Sequence, residues 1–252
     1  ADGRSVVGEP LVAKQSRYIA EQDDGEYIKY IRRFCRIQYQ ASKTAAAFNR
    51  RLDSIRSLDS DTPRVSFLDC SLYTISSAGS KQSFCVEQRL FGKFTKWNSN
   101  NGWTRNENHT SKPLMLGAIP EETPMPDEIP SSAKIDHEKL NDMDTENESL
   151  FVTQDEVAQA FSHFSYVFGG RKSLICDLQG VYDKQNRVLC FTDPVLHYFD
   201  VQKEHKTRQY GRTDRGERGI RDFLNTHCCN ALCSLVTSGF MEVPNKTNTI
   251  SG

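Results

Sequence analysis

Thr226-His227-Cys228-Cys229-Asn230-Ala231-Leu232-Cys233 concentrates three soft metal ligands, His227, Cys229 and Cys233, within seven consecutive residues. On a helix Cys229 and Cys233 are four residues apart and share a face, so both can reach one tetrahedral zinc while His227 joins from the preceding turn. Cys228 then points elsewhere. Three ligands leave a fourth to find, and His163, His197 and His205 are the candidates. The competing reading is plain core thiols, because reduced Cys packs as a small hydrophobe. A closed four-ligand site would be structural, since zinc that activates water keeps one coordination position open.

Upstream of this run, Asp177-Leu178-Gln179-Gly180 and Thr192-Asp193-Pro194 each put a carboxylate where an apolar strand gives way to a loop. Hard oxygen donors at strand ends can hold Mg2+ against a polyphosphate, and a further carboxylate can orient an attacking hydroxyl. Asp before a turn also serves as a simple backbone cap, so the pair alone leaves both readings open. The glycine-spaced run Gly211-Arg212-Thr213-Asp214-Arg215-Gly216-Glu217-Arg218-Gly219 can cradle an anion with its amides or be only a loop. A helix is expected from Ile220.

The rest of the chain supplies both helix and strand patterns. Tyr27, Ile31, Phe34, Ala41, Ala45 and Phe48 recur at helical spacing, which predicts a helix over Glu26–Leu52 with one buried face. Ser5–Val7 and Leu11–Lys14 read as a hairpin or two strand ends. Strands are predicted at Val65–Leu72, Ser83–Val86, Lys172–Gly180 and Arg187–Phe191, and a further helix at Gln154–His163.

A length of 252 residues and a formal charge of −1 fit one large two-lobed domain or two small ones. The balanced charge gives no general case for nucleic acid or an anionic membrane. No apolar run is long enough to span a bilayer and the first ten residues lack the blocks of a signal peptide, so a cytoplasmic chain is expected. Cys35, Cys70, Cys85, Cys176 and Cys190 lie singly in apolar stretches and read as reduced core residues. Between Arg105 and Ser149 there are 11 Asp+Glu against 4 Lys+Arg, five of the nine prolines and no aromatic residue. That segment predicts a disordered acidic insertion, and leaves the remainder at about +6, a modest bias towards anionic ligands.

Taken together and in order, these motifs resemble the alpha-kinase catalytic domain, an atypical protein-kinase family. Val12-Ala13-Lys14-Gln15-Ser16-Arg17 resembles the family strand that bears the ATP-contacting lysine. Val86-Glu87 and Gly92-Lys93-Phe94-Thr95-Lys96-Trp97-Asn98-Ser99-Asn100-Asn101-Gly102 resemble the interlobe hinge and Asn-rich loop, and Phe161-Ser162-His163-Phe164-Ser165-Tyr166 resembles the segment with the distant zinc histidine. The resemblance implies an α+β, two-lobed atypical protein-kinase fold with a zinc-stabilised C-lobe. It divides the chain into an N-lobe at 1–86, cut at its start, and a C-lobe at 87–252 that carries the acidic insertion at 105–149.

The resemblance also implies roles. Lys14 would contact the α and β phosphates of ATP and Glu87 would meet adenine at the hinge. Asp177 would orient a substrate Ser or Thr hydroxyl, Gln179 and Asp193 would ligate Mg2+, and Lys96 and Asn100 would stand near the transferred phosphate. His163, His227, Cys229 and Cys233 would bind structural Zn2+, and Gly211, Thr213, Asp214, Gly216 and Gly219 would form the glycine-rich loop. The expected partners are ATP and a protein substrate. Three departures stand out: the glycine-containing phosphate loop expected before Lys14 has only 13 residues to occupy, Asp214 puts a negative charge where many members have Asn, and the Gly180–Thr192 interval is long. A catalytically silent, zinc-stabilised interaction module is the alternative from a different class.

Overall fold

The computed structural model describes residues 8, 10–16, 24–77, 80–105, 149–202 and 208–240. Most of the acidic insertion, the Ser5–Val7 segment and His205 lie outside the described residues. A long helix, α1 (Asp24–Asp53), follows the strand β1 (Leu11–Lys14) and realises the predicted apolar stripe. Its first turns bury Tyr27 and Ile31, while Ala41, Ala45, Phe48 and Leu52 further along are at most 2% exposed. Because these residues recur every third or fourth position, one helix face serves two cores in succession, and α1 acts as the strut between them.

After α1 the chain enters β2 (Arg64–Phe67) and β3 (Cys70–Ser77). A single strand over Val65–Leu72 was expected. The break arises because the two halves pair in different sheets: Leu68 N–H still donates to the Phe191 carbonyl, whereas Cys70 already pairs with Glu87. Strand β4 (Ser80–Gln88) lies between β1 and β3 in an antiparallel three-stranded sheet. Then β5 (Phe94–Lys96) leads to α2 (Gln154–Phe168), whose start is fixed by a reciprocal cap between Thr153 and Glu156.

The remaining strands are β6 (Ser173–Cys176), β7 (Gln179–Asp183), β8 (Val188–Thr192) and β9 (Val195–Tyr198), followed by α3 (Gly216–Thr226) and α4 (Ala231–Thr237). A four-stranded sheet has the order β2-β8-β7-β5, with β2 parallel to β8 and the other neighbours antiparallel, and β6 pairs with β9. The long Gly180–Thr192 interval is thus the β7–β8 hairpin. Asp177, at φ 61°, interrupts the strand predicted over Lys172–Gly180. Helix α3 begins four residues before the expected Ile220, with Gly219 inside it because a Cβ there would run into the His197 ring.

The main core packs α1, α2 and α4 against the four-stranded sheet. Phe48, Phe67, Phe161, Phe164 and Phe191 meet in edge-on and tilted pairs at 5.4–5.6 Å, geometries that suit the aromatic quadrupole. A smaller core of Tyr27, Ile31 and Cys85 lies beneath the three-stranded sheet. No helix among the described residues is long and apolar enough to cross a membrane.

Candidate active site

Strand register brings the predicted chemistry to one place. Lys96 on β5 pairs with Gln179 on β7, which pairs with Thr192 on β8, so these three side chains stand in one row across the sheet. Asp177 and Asp193 flank that row, both with left-handed backbones at φ 61° and 54°. This conformation is one that Asp and Asn tolerate better than most residues. Gly180, at φ 157°, has no room for a side chain because a Cβ would meet the Cys190 carbonyl.

A buried polar clamp fixes the turn at Asp177. The Asn98 side-chain oxygen accepts from Leu178 N–H at 3.0 Å, and its amide donates to Ser162 Oγ at 3.0 Å and Gln159 Oε1 at 3.3 Å. Gln159 in turn donates to the Trp97 carbonyl at 2.9 Å. Every one of these groups is buried, so loss of one partner leaves the others unpaired. The Asp177 carboxylate faces Lys96 Nζ at 2.7 Å.

From the three-stranded sheet, Lys14 Nζ meets both Asp193 oxygens at 2.8 Å, Glu87 Oε1 at 2.5 Å and Thr192 Oγ1 at 3.1 Å. Burial alone would lower the lysine pKa, but the hydrogen bonds and charges of Asp193 and Glu87 outweigh it and hold the ammonium above its ordinary range. Glu87 was expected to meet adenine. Its side chain turns inward, only 4% exposed, where it accepts from Thr192 Oγ1 at 2.8 Å and pairs with Lys14.

Gln38 on α1 completes this network and escaped the sequence reading. Its amide donates to the Leu68 carbonyl at 2.6 Å and reaches Glu87 Oε2 at 3.4 Å, and its oxygen accepts from Asp193 N–H at 3.3 Å. A polar residue set in an otherwise apolar helical stripe is the signal that would have found it.

The glycine-rich run sits beside the Asn-rich loop. Arg215 donates from Nη1 to the Asn100 carbonyl at 2.8 Å and pairs with Asp222 at 2.5 Å. His197 Nδ1 accepts from Arg215 N–H at 3.1 Å, which leaves the proton on Nε2 for the Asn100 carbonyl at 3.2 Å. Burial lowers the His197 pKa and keeps the ring neutral. The Asp214 charge is turned inward: the residue is fully buried and its carboxylate accepts from the amides of Tyr198, Tyr210 and Gly216. Gly211 and Gly216 take the left-handed turns on either side, at φ 98° and 59°, and Thr213 is exposed between them.

Below, His163 from α2 meets His227, Cys229 and Cys233. His227 Nε2 lies 3.2 Å from His163 Nδ1 and 3.4 Å from Cys233 Sγ, and Cys229 Sγ lies 3.5 Å from His163 Nδ1. Tetrahedral zinc with bonds of about 2.0–2.3 Å spaces its ligands roughly 3.3–3.8 Å apart, so the donor set fits that ion in kind and in spacing. Burial lowers His163, and burial together with His163 lowers His227 to about 4, so both imidazoles are neutral lone-pair donors. Burial also raises Cys229 and pushes Cys233 up to about 12; a bound divalent cation would supply the charge that stabilises the thiolates. Phe223 stacks on the His227 ring at 5.2 Å and sets its orientation.

The three-stranded and four-stranded sheets meet at a lysine–carboxylate network, and a His2Cys2 cluster joins α2 to the α3–α4 segment, an arrangement matched by one family of protein kinases. The alpha-kinase family profile matches residues 4–116 and 132–233, and the chain belongs to the alpha-kinase family, whose members are protein kinases. It is 24% identical over 226 residues to alpha-protein kinase vwkA of Dictyostelium discoideum, covering 90% of this chain and 27% of that protein. Against human eukaryotic elongation factor 2 kinase the identity is 23%, over 86% of this chain and 20% of the relative. The chain thus spans about a quarter or less of these curated relatives. The apoenzyme alpha-kinase domain of myosin-II heavy chain kinase A superimposes with a TM-score of 0.55 at 21% identity, over 91% of this chain and 64% of that one. The same domain in complex with AMP-PNP gives 0.52 at 21% identity, over 90% and 61%.

Proposed function

We propose that this chain transfers the γ-phosphoryl group of ATP to Ser or Thr hydroxyls of proteins. The observation that carries this reading is the meeting of Lys14, from the three-stranded sheet, with Asp193 at the end of a strand of the four-stranded sheet, beside the Lys96–Asp177 pair. The heavy chain kinase domain with AMP-PNP and the family membership support it. Phosphoryl transfer asks mainly for positioned cations and an aligned hydroxyl, which is the inventory these residues offer.

Lys14 would contact the α and β phosphates, exchanging part of its present contact with Asp193 for phosphate oxygens. Glu87 would hold the ammonium from behind and Gln38 would hold Glu87, while the backbone at this strand end would be available to adenine. Gln179 and Asp193, oxygen donors at adjoining strand ends, fit Mg2+, which when bound would neutralise charge on the phosphates. Asp177 would orient the substrate hydroxyl, and Lys96 would face the charge that develops on the transferred group, with Asn100 nearby. The hydroxyl oxygen forms a bond to the γ phosphorus, the bond to the β-phosphate oxygen breaks, ADP leaves, and the hydroxyl proton passes to Asp177 or to solvent. His163, His227, Cys229 and Cys233 would hold zinc away from the chemistry, as a cross-link between α2 and α4.

The test is incubation with labelled ATP, Mg2+ and a Ser/Thr peptide library, followed by identification of the labelled residue. Label on Ser or Thr with wild type, absent with Asp177→Asn, is expected. Equal label with both proteins would count against the reading and favour the silent interaction module.

A further inference from the structure

Three cysteines that look unrelated in sequence meet in the smaller core. Cys35 comes from α1, Cys70 from β3 and Cys85 from β4, and their sulfurs all lie within 4.8 Å of one another. Strand register explains the meeting. Cys85 pairs with both Lys14 and Leu72, and Cys70 pairs with Glu87, so Cys70, Cys85, Glu87 and Lys14 project from the same face of the three-stranded sheet. Cys35 stands on α1 between Ile31 and Gln38, two residues that face that sheet.

From this placement we propose that Cys35, Cys70 and Cys85 form a second metal site, an all-sulfur site for copper(I). Metal–thiolate bonds of about 2.3 Å put the sulfurs of a planar three-coordinate site about 4.0 Å apart, compatible with three sulfurs that all lie within 4.8 Å of one another. Thiolate donors select soft ions over Mg2+ or Ca2+. Structural zinc is almost always four-coordinate, and among the described residues no His or carboxylate joins the three sulfurs within the same distance. Three soft donors without a fourth suit a monovalent soft cation.

The thiols can also be reached. Cys85 lines a cavity of about 230 Å³ with Lys14, Tyr27, Tyr30, Phe34 and Asp193, so an ion can enter from the nucleotide side of the sheet. Ordinary core thiols look different in this chain. Cys176 is fully enclosed with Leu174, Val195, Ile220 and Phe223, and Cys190, which accepts from the Ser66 hydroxyl, joins no other thiol, His or carboxylate in a cluster of three among the described residues. An ion at Cys35, Cys70 and Cys85 would tie α1 to β3 and β4 directly behind Lys14. The site does not depend on phosphoryl transfer, and its failure would leave the kinase reading untouched.

The experiment is an anaerobic titration of the zinc-loaded chain with copper(I) against a chromogenic copper(I) chelator. One equivalent bound per chain is expected, with three sulfur neighbours and no nitrogen by X-ray absorption, and binding weakened about 100-fold or more in Cys70→Ser and Cys85→Ser. Unchanged binding in those variants, or nitrogen among the neighbours, would overturn the site. Because a variant at buried Cys85 can unfold, alkylation of the wild type provides an independent reading. Copper(I) should protect Cys35, Cys70 and Cys85 while exposed Cys228 still reacts, and equal labelling with and without copper(I) would contradict the proposal.

Discussion

The two sheets that meet at the candidate active site rest on unequal foundations. Beneath the four-stranded sheet lies a large aromatic core closed by α1, α2 and α4, with the His2Cys2 cluster at its edge. Among the described residues, only Tyr27, Ile31 and Cys85 are buried beneath the three-stranded sheet, edged by partly buried Phe34, Cys35, Cys70 and Leu72, while Leu11, Tyr73 and Ile75 are exposed. Hydrophobic stabilisation grows with the apolar area buried. The half carrying Asp177, Gln179 and Asp193 should therefore be rigid, and the half carrying Lys14 and Glu87 adaptable, which under the proposed function would suit carboxylates held in register and a lysine that yields to a nucleotide.

The largest effect expected is on the strong half. Removing zinc with a chelator, or Cys233→Ser, should unfold the part built on α2 and α4, since a structural zinc can contribute on the order of 10 kcal/mol to folding. Elemental analysis and thermal melts would check this, and unchanged melting would mean that the His2Cys2 cluster adds no cross-link and that the two halves are closer in stability. Next comes Phe161→Ala, which empties a fully buried site in the main core and should cost about 3–5 kcal/mol in denaturant titrations.

A smaller effect is expected at the junction. Gln38→Leu removes the amide that serves Leu68, Glu87 and Asp193, and should lower stability by about 1–3 kcal/mol and weaken nucleotide binding measured by calorimetry. If stability alone changed, Gln38 would be a core residue without a part in positioning Asp193. The smallest effect belongs to His197, whose pKa burial depresses. As pH falls below about 6.5 the unfolded chain takes up a proton that the folded ring lacks, so stability should decline. Melts at several pH values should show a shallower decline in His197→Gln.

What the sequence made legible was local. The ligand run at 226–233, the carboxylates at 177 and 193 and the stripe along α1 each declare themselves through spacing within one segment. What it hid were meetings between segments. Alternation over residues 65–72 marks extended chain but does not say that the chain changes sheets at Leu68 and Asp69. Cys35, Cys70 and Cys85 each pass as a lone core thiol because their convergence depends on strand register and on which α1 face meets the sheet. Asp214 looked like a charge offered to a ligand, and only the fold reveals the three amides that occupy it.

The division of labour between the halves is tested most directly by comparing Lys14→Ala with Asp177→Asn for nucleotide binding by calorimetry and for transfer of label from ATP to a Ser/Thr peptide, both with Mg2+. The account predicts that Asp177→Asn keeps its nucleotide affinity and its melting point and loses transfer by about 10²–10⁴-fold, whereas Lys14→Ala loses nucleotide affinity first and melts lower, because buried Glu87 is left without its cation. Loss of nucleotide binding in Asp177→Asn with full binding in Lys14→Ala, or wild-type transfer no greater than that of Asp177→Asn, would contradict it.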